Sequence, residues 1–280
     1  MSLYIGLSQW SHPAWPGQLL RRDLKTTEHL IDYAKVFNAV EGNTSLYGLP
    51  TTASLVRWNE QTPEHFKFTL KFPASISHQG LLADKLSETQ SFIEHLAPLR
   101  AKLGMVLLQL PARSGPEQLP GLAQLLSVLP PDLACGVEVR HPAFFAKGEA
   151  ERDLNRVLIA HNANRIIMDS RAVFSAPPTT PVLVDAQQKK PKVPVHIIST
   201  GTAPMIRFIG HPDAQYNRPY WQPWIPRINH WLSEGKSVYV FIHTADNQQA
   251  PQLAADIATA LDHPLPSFPG LAPSPQGQLF

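Results

Sequence analysis

Seven ionisable residues stand at strand-like spacing within short apolar runs of this sequence: Glu41, Lys71, Glu138, Arg140, Asp169, Arg171 and Arg207. Three acids against four bases leave a positive excess, and the planar fork of arginine suits phosphate or carboxylate oxygens. If these groups converge, they form a site for an anionic ligand. Carboxylates beside cations have their pKa values pushed apart, the condition under which a pair such as Glu41 and Glu138 divides general acid from general base work. Lys71, set near a strand end where desolvation would lower its pKa, is a candidate Schiff-base nucleophile, with an ion-paired lysine as the plainer reading. Glu41, Lys71, Glu138 and Asp169 are therefore the candidate catalytic groups. The plainer reading is that each glutamate simply salt-bridges an arginine. Glu41, Glu138 and Asp169 would also offer three oxygen ligands to a divalent metal. Four cations in the same place oppose that, and the histidines show no HExxH pattern, so no metal ligand is assigned and the cofactor is left open. The sequence holds no GxSxG, Walker or GxGxxG motif, which leaves serine hydrolase, P-loop NTPase and dinucleotide-binding readings without support.

Positioning these side chains together requires strands. Eight apolar runs recur with helical patterns between them: Tyr4 to Trp10, Ala39 to Tyr47, Phe66 to Phe72, Gly104 to Leu110, Cys135 to His141, Arg165 to Arg171, Met205 to His211 and Ser237 to Thr244. Alternation of βα units indicates a parallel sheet, and eight strands close a TIM barrel. The expected fold is α/β, a TIM-barrel-like (β/α)8 closed parallel barrel. Helices are readable from period at Leu30, Tyr33, Ala34 and Phe37 after a Thr26-Thr27 cap, and at Leu122, Leu125, Leu126 and Leu129. Ile225, Ile228 and Leu232 mark another helical face, and Leu253, Ile257 and Leu261 the last.

Successive strand residues point to opposite faces. Glu41 shares a face with Asn43, Thr69 with Lys71, Glu138 with Arg140, Asp169 with Arg171, Arg207 with Ile209 and His211, and Tyr239 with Phe241 and His243. The opposite parity is mainly apolar, as at Phe68 and Leu70, Val137 and Val139, or Val238, Val240 and Ile242. The polar set is therefore expected to point inward, late in the strands, where TIM barrels build their sites. Buried charges are costly unless they pair or meet a ligand. Asn43, Tyr47, Gln109, Arg140, His141, Arg171, Arg207 and His243 are the candidate substrate-binding groups, with Trp10 as an aromatic wall. Trp15 and the Tyr216, Tyr220, Trp221, Trp224 set are alternative stacking surfaces or loop packing.

Val40-Glu-Gly-Asn-Thr-Ser-Leu-Tyr47, Phe68-Thr-Leu-Lys-Phe-Pro73, Ser77-His78, Leu107-Leu-Gln-Leu-Pro111 and Gly136-Val-Glu-Val-Arg-His-Pro142 resemble the YecE-like family, domain of unknown function 72. Asp169-Ser-Arg171, Lys189 to His196, Ile206 to Gly210 and Val238 to Thr244 extend the resemblance over nearly the whole chain. The resemblance implies a TIM-barrel-like fold and supplies no reaction. Many members of that family carry a His-Gly pair at the end of strand seven, where this chain reads Ile209-Gly210-His211.

The chain has 280 residues, 43% of them hydrophobic, which is enough for a sizeable core and excludes disorder throughout. Its 28 prolines point to many shaped loops. The longest, Ala172 to Pro204, carries Lys189-Lys190-Pro191-Lys192 and reads as a lid or binding element, or as a solvated charged loop. One cysteine, Cys135, favours a reducing compartment, and the N-terminus resembles no signal peptide; together with the lack of a membrane-length apolar run, this indicates a cytoplasmic protein. The expected organisation is a single barrel domain over residues 1–263 and a proline-rich extended tail over 264–280. Gln276, Leu279 and Phe280 end that tail in the pattern of a QxxLF peptide, by which bacterial DNA polymerases and repair proteins bind the sliding clamp. The expected partners are an anionic small molecule or a nucleic acid, with the DNA sliding clamp as protein partner and no membrane. A nucleic-acid phosphodiester hydrolase or lyase leads. A sugar or sugar-phosphate isomerase or epimerase and a non-catalytic binding or adaptor protein are the rivals.

Overall fold

The computed structural model of the protein describes residues 2–271. Eight parallel strands, β1 Ser2–Leu7, β2 Ala39–Gly42, β3 Lys67–Lys71, β4 Leu103–Gln109, β5 Cys135–Glu138, β6 Asn164–Asp169, β7 Met205–Ile209 and β8 Ser237–His243, close in chain order into a barrel. Between and after them run α1 His29–Val36, α2 Thr52–Gln61, α3 Ala74–Ser77, α4 Leu86–His95, α5 Leu119–Ser127 and α6 Glu149–Ala160. The later helices are α7 Pro181–Lys189, α8 Arg218–Trp221, α9 Trp224–Ser233 and α10 Ala250–Ala260.

Strand alternation creates two cores. Outward positions such as Ile5, Val40, Phe68, Leu108, Val137 and Val240 join helix residues Leu30, Tyr33, Leu122, Leu125, Ile228 and Ile257 in the main apolar layer. Burying each of these large side chains contributes about 1.5–3 kcal/mol. Inward positions Ala39, Met105, Leu107, Ile166, Met205, Tyr239 and Phe241 fill the barrel with a second apolar cluster. It forms a dry floor beneath the strand ends. Gly6 has no room for a side chain, because a β-carbon there would lie 2.0 Å from the Ala39 carbonyl oxygen.

Strand pairing ends sooner than the apolar runs do. β2 stops at Gly42, where the chain folds into a 3-10 turn, Thr44–Leu46, and β5 stops before the turn opened by Pro142. Asn43, Tyr47, Arg140 and His141 consequently stand in loops above the barrel. The Thr26-Thr27 pair does not cap α1 through its side chains; those residues form a 3-10 turn in which Glu28 Oε2 accepts the Lys25 N–H at 3.1 Å.

The long β6–β7 connection is built structure. Thr180 caps α7 by accepting the Leu183 N–H at 3.2 Å, the arrangement that satisfies an orphan donor of the first turn. Leu183 and Ala186 then pack with Met168 and Ile209, so α7 lies over the barrel mouth. At the other end of the chain, Leu265 and Phe268 pack against the main core, so packed structure continues past residue 263. Gln276, Leu279 and Phe280 lie outside the described residues. No helix among the described residues is long and apolar enough to cross a membrane.

Candidate functional site

The barrel mouth is organised by Arg207 of β7. Its Nε donates to Glu41 Oε2 at 2.7 Å and its Nη2 to Glu41 Oε1 at 2.8 Å, a bidentate pair. The remaining Nη1 donates to Glu138 Oε2. Arg140 grips the other oxygen of that carboxylate, with Nε at 2.8 Å and Nη2 at 2.7 Å from Glu138 Oε1. Lys71, the last residue of β3, donates from Nζ to Gln109 Oε1 at 2.6 Å and stands 3.7 Å from Glu41 Oε1. His243 Nε2 is 3.4 Å from Glu41 Oε2, out of line for a hydrogen bond, and has no other partner.

Burial alone would raise both carboxylates. The Arg207, Arg140 and Lys71 charges overcome it at Glu138 and hold that group at about 2. Arg207, His243 and Lys71 hold Glu41 well below the usual carboxylate range. Neither glutamate is a proton donor near neutral pH. Burial and the neighbouring Arg207 push the Lys71 ammonium down to about 8, against the pull of Glu41 and Glu138. Burial also lowers His243, to about 4, despite Glu41 beside it. Lys71 is thus the ionisable group of the cluster whose proton is exchangeable near neutrality.

A cavity of about 630 Å³ opens above this cluster. Glu41, Lys71, Gln109, Arg140, Arg207 and His243 line it from the strand ends. Trp10, Asn43 and Tyr47 line it from the loops after β1 and β2. Asn43 Nδ2 donates to the Ser8 carbonyl at 2.8 Å and ties those two loops together, while Trp10 sits edge-on to Trp58 with centroids 5.0 Å apart. Glu138 lies behind the guanidinium groups of Arg140 and Arg207, on the wall of a narrower space beside them.

Three expected members of the mouth stand elsewhere. In β6 it is Met168 that pairs in register with Arg207, whereas Asp169 pairs with the outward Phe208. Strand alternation therefore turns Asp169 to the helical layer, where Oδ2 accepts Trp224 Nε1–H at 2.9 Å and Arg171 Nη2–H at 2.8 Å. Arg171 follows it outward and lies over the Tyr220 ring at 5.7 Å. His141 caps the turn after β5 instead: its Nδ1 accepts the Ala143 N–H at 3.2 Å and its ring rests on Phe144. The three-carboxylate metal set is thereby broken up, because Asp169 is on the opposite face from Glu41 and Glu138. Among the described residues, no three His, Cys, Asp or Glu side chains are grouped to hold a metal ion. Trp15 is fully buried and belongs to the core, and His211 turns into its own loop to accept the Asp213 N–H at 3.0 Å.

Two cavity cations come from a direction that strand parity does not reveal. Lys189 and Lys190, at the end of α7, reach the cavity with Pro191. Lys189 is 2.6 Å from Asp185 on its own helix. Lys190 adds to the cluster, where burial and then Arg207 lower its pKa. The signal was the lysine run; its position over the mouth depends on how α7 packs. With Asp169 and Arg171 removed from the mouth, Lys190 added and Lys189 paired to Asp185, four cations, Lys71, Arg140, Lys190 and Arg207, face two carboxylates, Glu41 and Glu138.

The family described as Protein of unknown function DUF72 matches residues 4–279. The chain is 45% identical over 274 residues to UPF0759 protein YecE of Escherichia coli strain K12, covering 98% of each. A crystal structure of a DUF72 family protein from Enterococcus faecalis V583 superposes with a TM-score of 0.74 at 21% identity, covering 95% of this chain and 98% of that one. Another, from Thermotoga maritima MSB8, gives 0.68 at 23% identity over 94% and 100%. At these identities the two structures bear on the fold.

Proposed function

The chain belongs to the DUF72 family, and from that premise we propose that its barrel mouth binds the phosphate of a phosphate-bearing substrate and transfers a proton to it from Lys71. The observation that carries this reading is the imbalance of four cations, not counting Lys189 paired to Asp185, over two carboxylates at one cavity above an apolar floor. The buried pair Lys71 and Arg207 balances Glu41 and Glu138, so the excess charge sits on the half-buried Arg140 and Lys190 at the cavity wall, where an anion carrying two negative charges pairs with it. Arg207 spends three of its five donors on Glu41 and Glu138 and is buried between them, so it is the less accessible guanidinium. Arg140 and Lys190 hold the phosphate, and Glu41 and Glu138 fix Arg207 and thereby the electrostatic frame.

The favoured reaction is cleavage of a phosphoester. Water attacks phosphorus, the bond to the leaving oxygen breaks, and Lys71 protonates that oxygen before recovering a proton from the attacking water. With Gln276, Leu279 and Phe280 as a sliding-clamp peptide, the substrate is a nucleic acid and the bond a phosphodiester. General acid catalysis of this kind is worth about 10²–10⁴-fold. The test is turnover of phosphomonoester, phosphodiester and oligonucleotide substrates by wild type and Lys71→Met. We expect activity that declines above pH of about 8 and falls at least about a hundredfold in Lys71→Met. Equal turnover by the two proteins would remove Lys71 from the reaction.

A further inference from the structure

A second cavity of about 610 Å³ adjoins the first and shares Leu46 and Tyr47 with it. The two differ in chemistry. No lysine or arginine among the described residues lines the second, and its one carboxylate, Glu88, is 3.7 Å from Lys85. Its other walls include the polar Gln79 and Ser91, the apolar Leu49 and Phe92, and His95, whose Nε2 is 2.7 Å from the Pro50 carbonyl oxygen. A phosphate finds no lysine or arginine there, whereas a neutral ring with hydrogen-bonding edges finds both apolar contact and polar partners.

Tyr47 stands at the junction with 88% of its surface exposed, more than any other large hydrophobic side chain among the described residues. A lone exposed tyrosine is ordinary on a protein surface. This one is held by a hydrogen-bonded turn. Tyr47 N and Gly48 N both donate to the Thr44 carbonyl at 3.1 Å, Leu46 N donates to Asn43 O at 3.3 Å, and Asn43 is tied to Ser8. A ring presented on a pinned backbone between two cavities is a preorganised stacking platform.

Building on the phosphate site proposed above, we propose that the ligand is a nucleotide-type compound. Its phosphate occupies the cationic cavity, its heterocyclic base stacks on Tyr47, and the base edge enters the neutral cavity. The bipartite arrangement explains why an anion site continues into a space without cations.

The test is calorimetric titration of the full-length protein with inorganic phosphate, ribose 5-phosphate and adenosine 5′-monophosphate, in wild type, Tyr47→Ala and Tyr47→Phe. Stacking of one base on an aromatic side chain is worth at least about a fivefold change in affinity. Adenosine 5′-monophosphate should bind wild type at least that much more tightly than either other probe. Tyr47→Ala should abolish the difference and leave phosphate affinity unchanged, and Tyr47→Phe should keep it. Phosphate binding without a nucleotide preference, or equal binding of ribose 5-phosphate, would overturn the stacking site while sparing the anion site. Failure of all three probes to bind would overturn both.

Discussion

At the scale of single residues, Arg207 is the keystone of the mouth. It hydrogen-bonds two buried carboxylates at once, so its removal leaves Glu41 and Glu138 with less compensation than their burial demands. Arg207→Met should destabilise the protein by about 3–5 kcal/mol, read from chemical denaturation. The same cluster sets the response to acid. Glu138 is held at about 2 and Glu41 well below its ordinary 4.5, so the unfolded chain takes up protons that the folded chain refuses. Their contribution is fully present at neutral pH and is lost as the pH falls from about 4.5 toward 2. His243, lowered from 6.5 to about 4, acts in the same direction over the window above that one. Stability should therefore decline progressively below pH 6.5, and His243→Asn should remove the part lost between 6.5 and about 4 in a series of melts. Much of this cluster was legible in the sequence, since Glu41, Lys71, Glu138, Arg207 and His243 obey strict alternation within their strands. Asp169 was misplaced because polarity, not register, assigned its face, and β6 carries polar residues on the side that meets α6 and α9.

The elements explain which residues could be read and which could not. Strands and helices followed from period because each has one apolar face that must be covered. Loop positions obey no such rule. Lys190 reaches the cavity because α7 turns over the mouth, and Tyr47 stands between cavities because β2 ends at Gly42 in a tight turn; neither position follows from sequence spacing. Lys190→Ala should weaken phosphate binding while leaving the melting temperature nearly unchanged, since this partly exposed side chain packs no core. Unchanged affinity would detach α7 from the site. The close approach of β1 and β2 is testable in the same way. Gly6→Ala sets a β-carbon against the Ala39 carbonyl, and overpacking of a barrel interior should cost at least about 2 kcal/mol in thermal unfolding.

For the molecule as a whole, the closed barrel supplies a floor, Arg207 and its carboxylates supply a fixed frame, and the remaining cations supply the proposed anion site. The barrel fold was predicted by counting strands, and the DUF72 membership agrees with it; the reaction is written in neither. The final residues belong to this scale as well. A protein lacking Gln276 to Phe280 should lose binding to its host's sliding clamp in a pull-down and keep its phosphate affinity. The charge imbalance is the central claim, and titration of inorganic phosphate into wild type and the Lys71→Met/Arg140→Met double variant addresses it most directly. The double variant leaves two cations facing two carboxylates. Saturable, one-site binding to wild type that vanishes in a folded double variant is the predicted result. Absence of binding to wild type, or equal affinity in both proteins, would contradict the account.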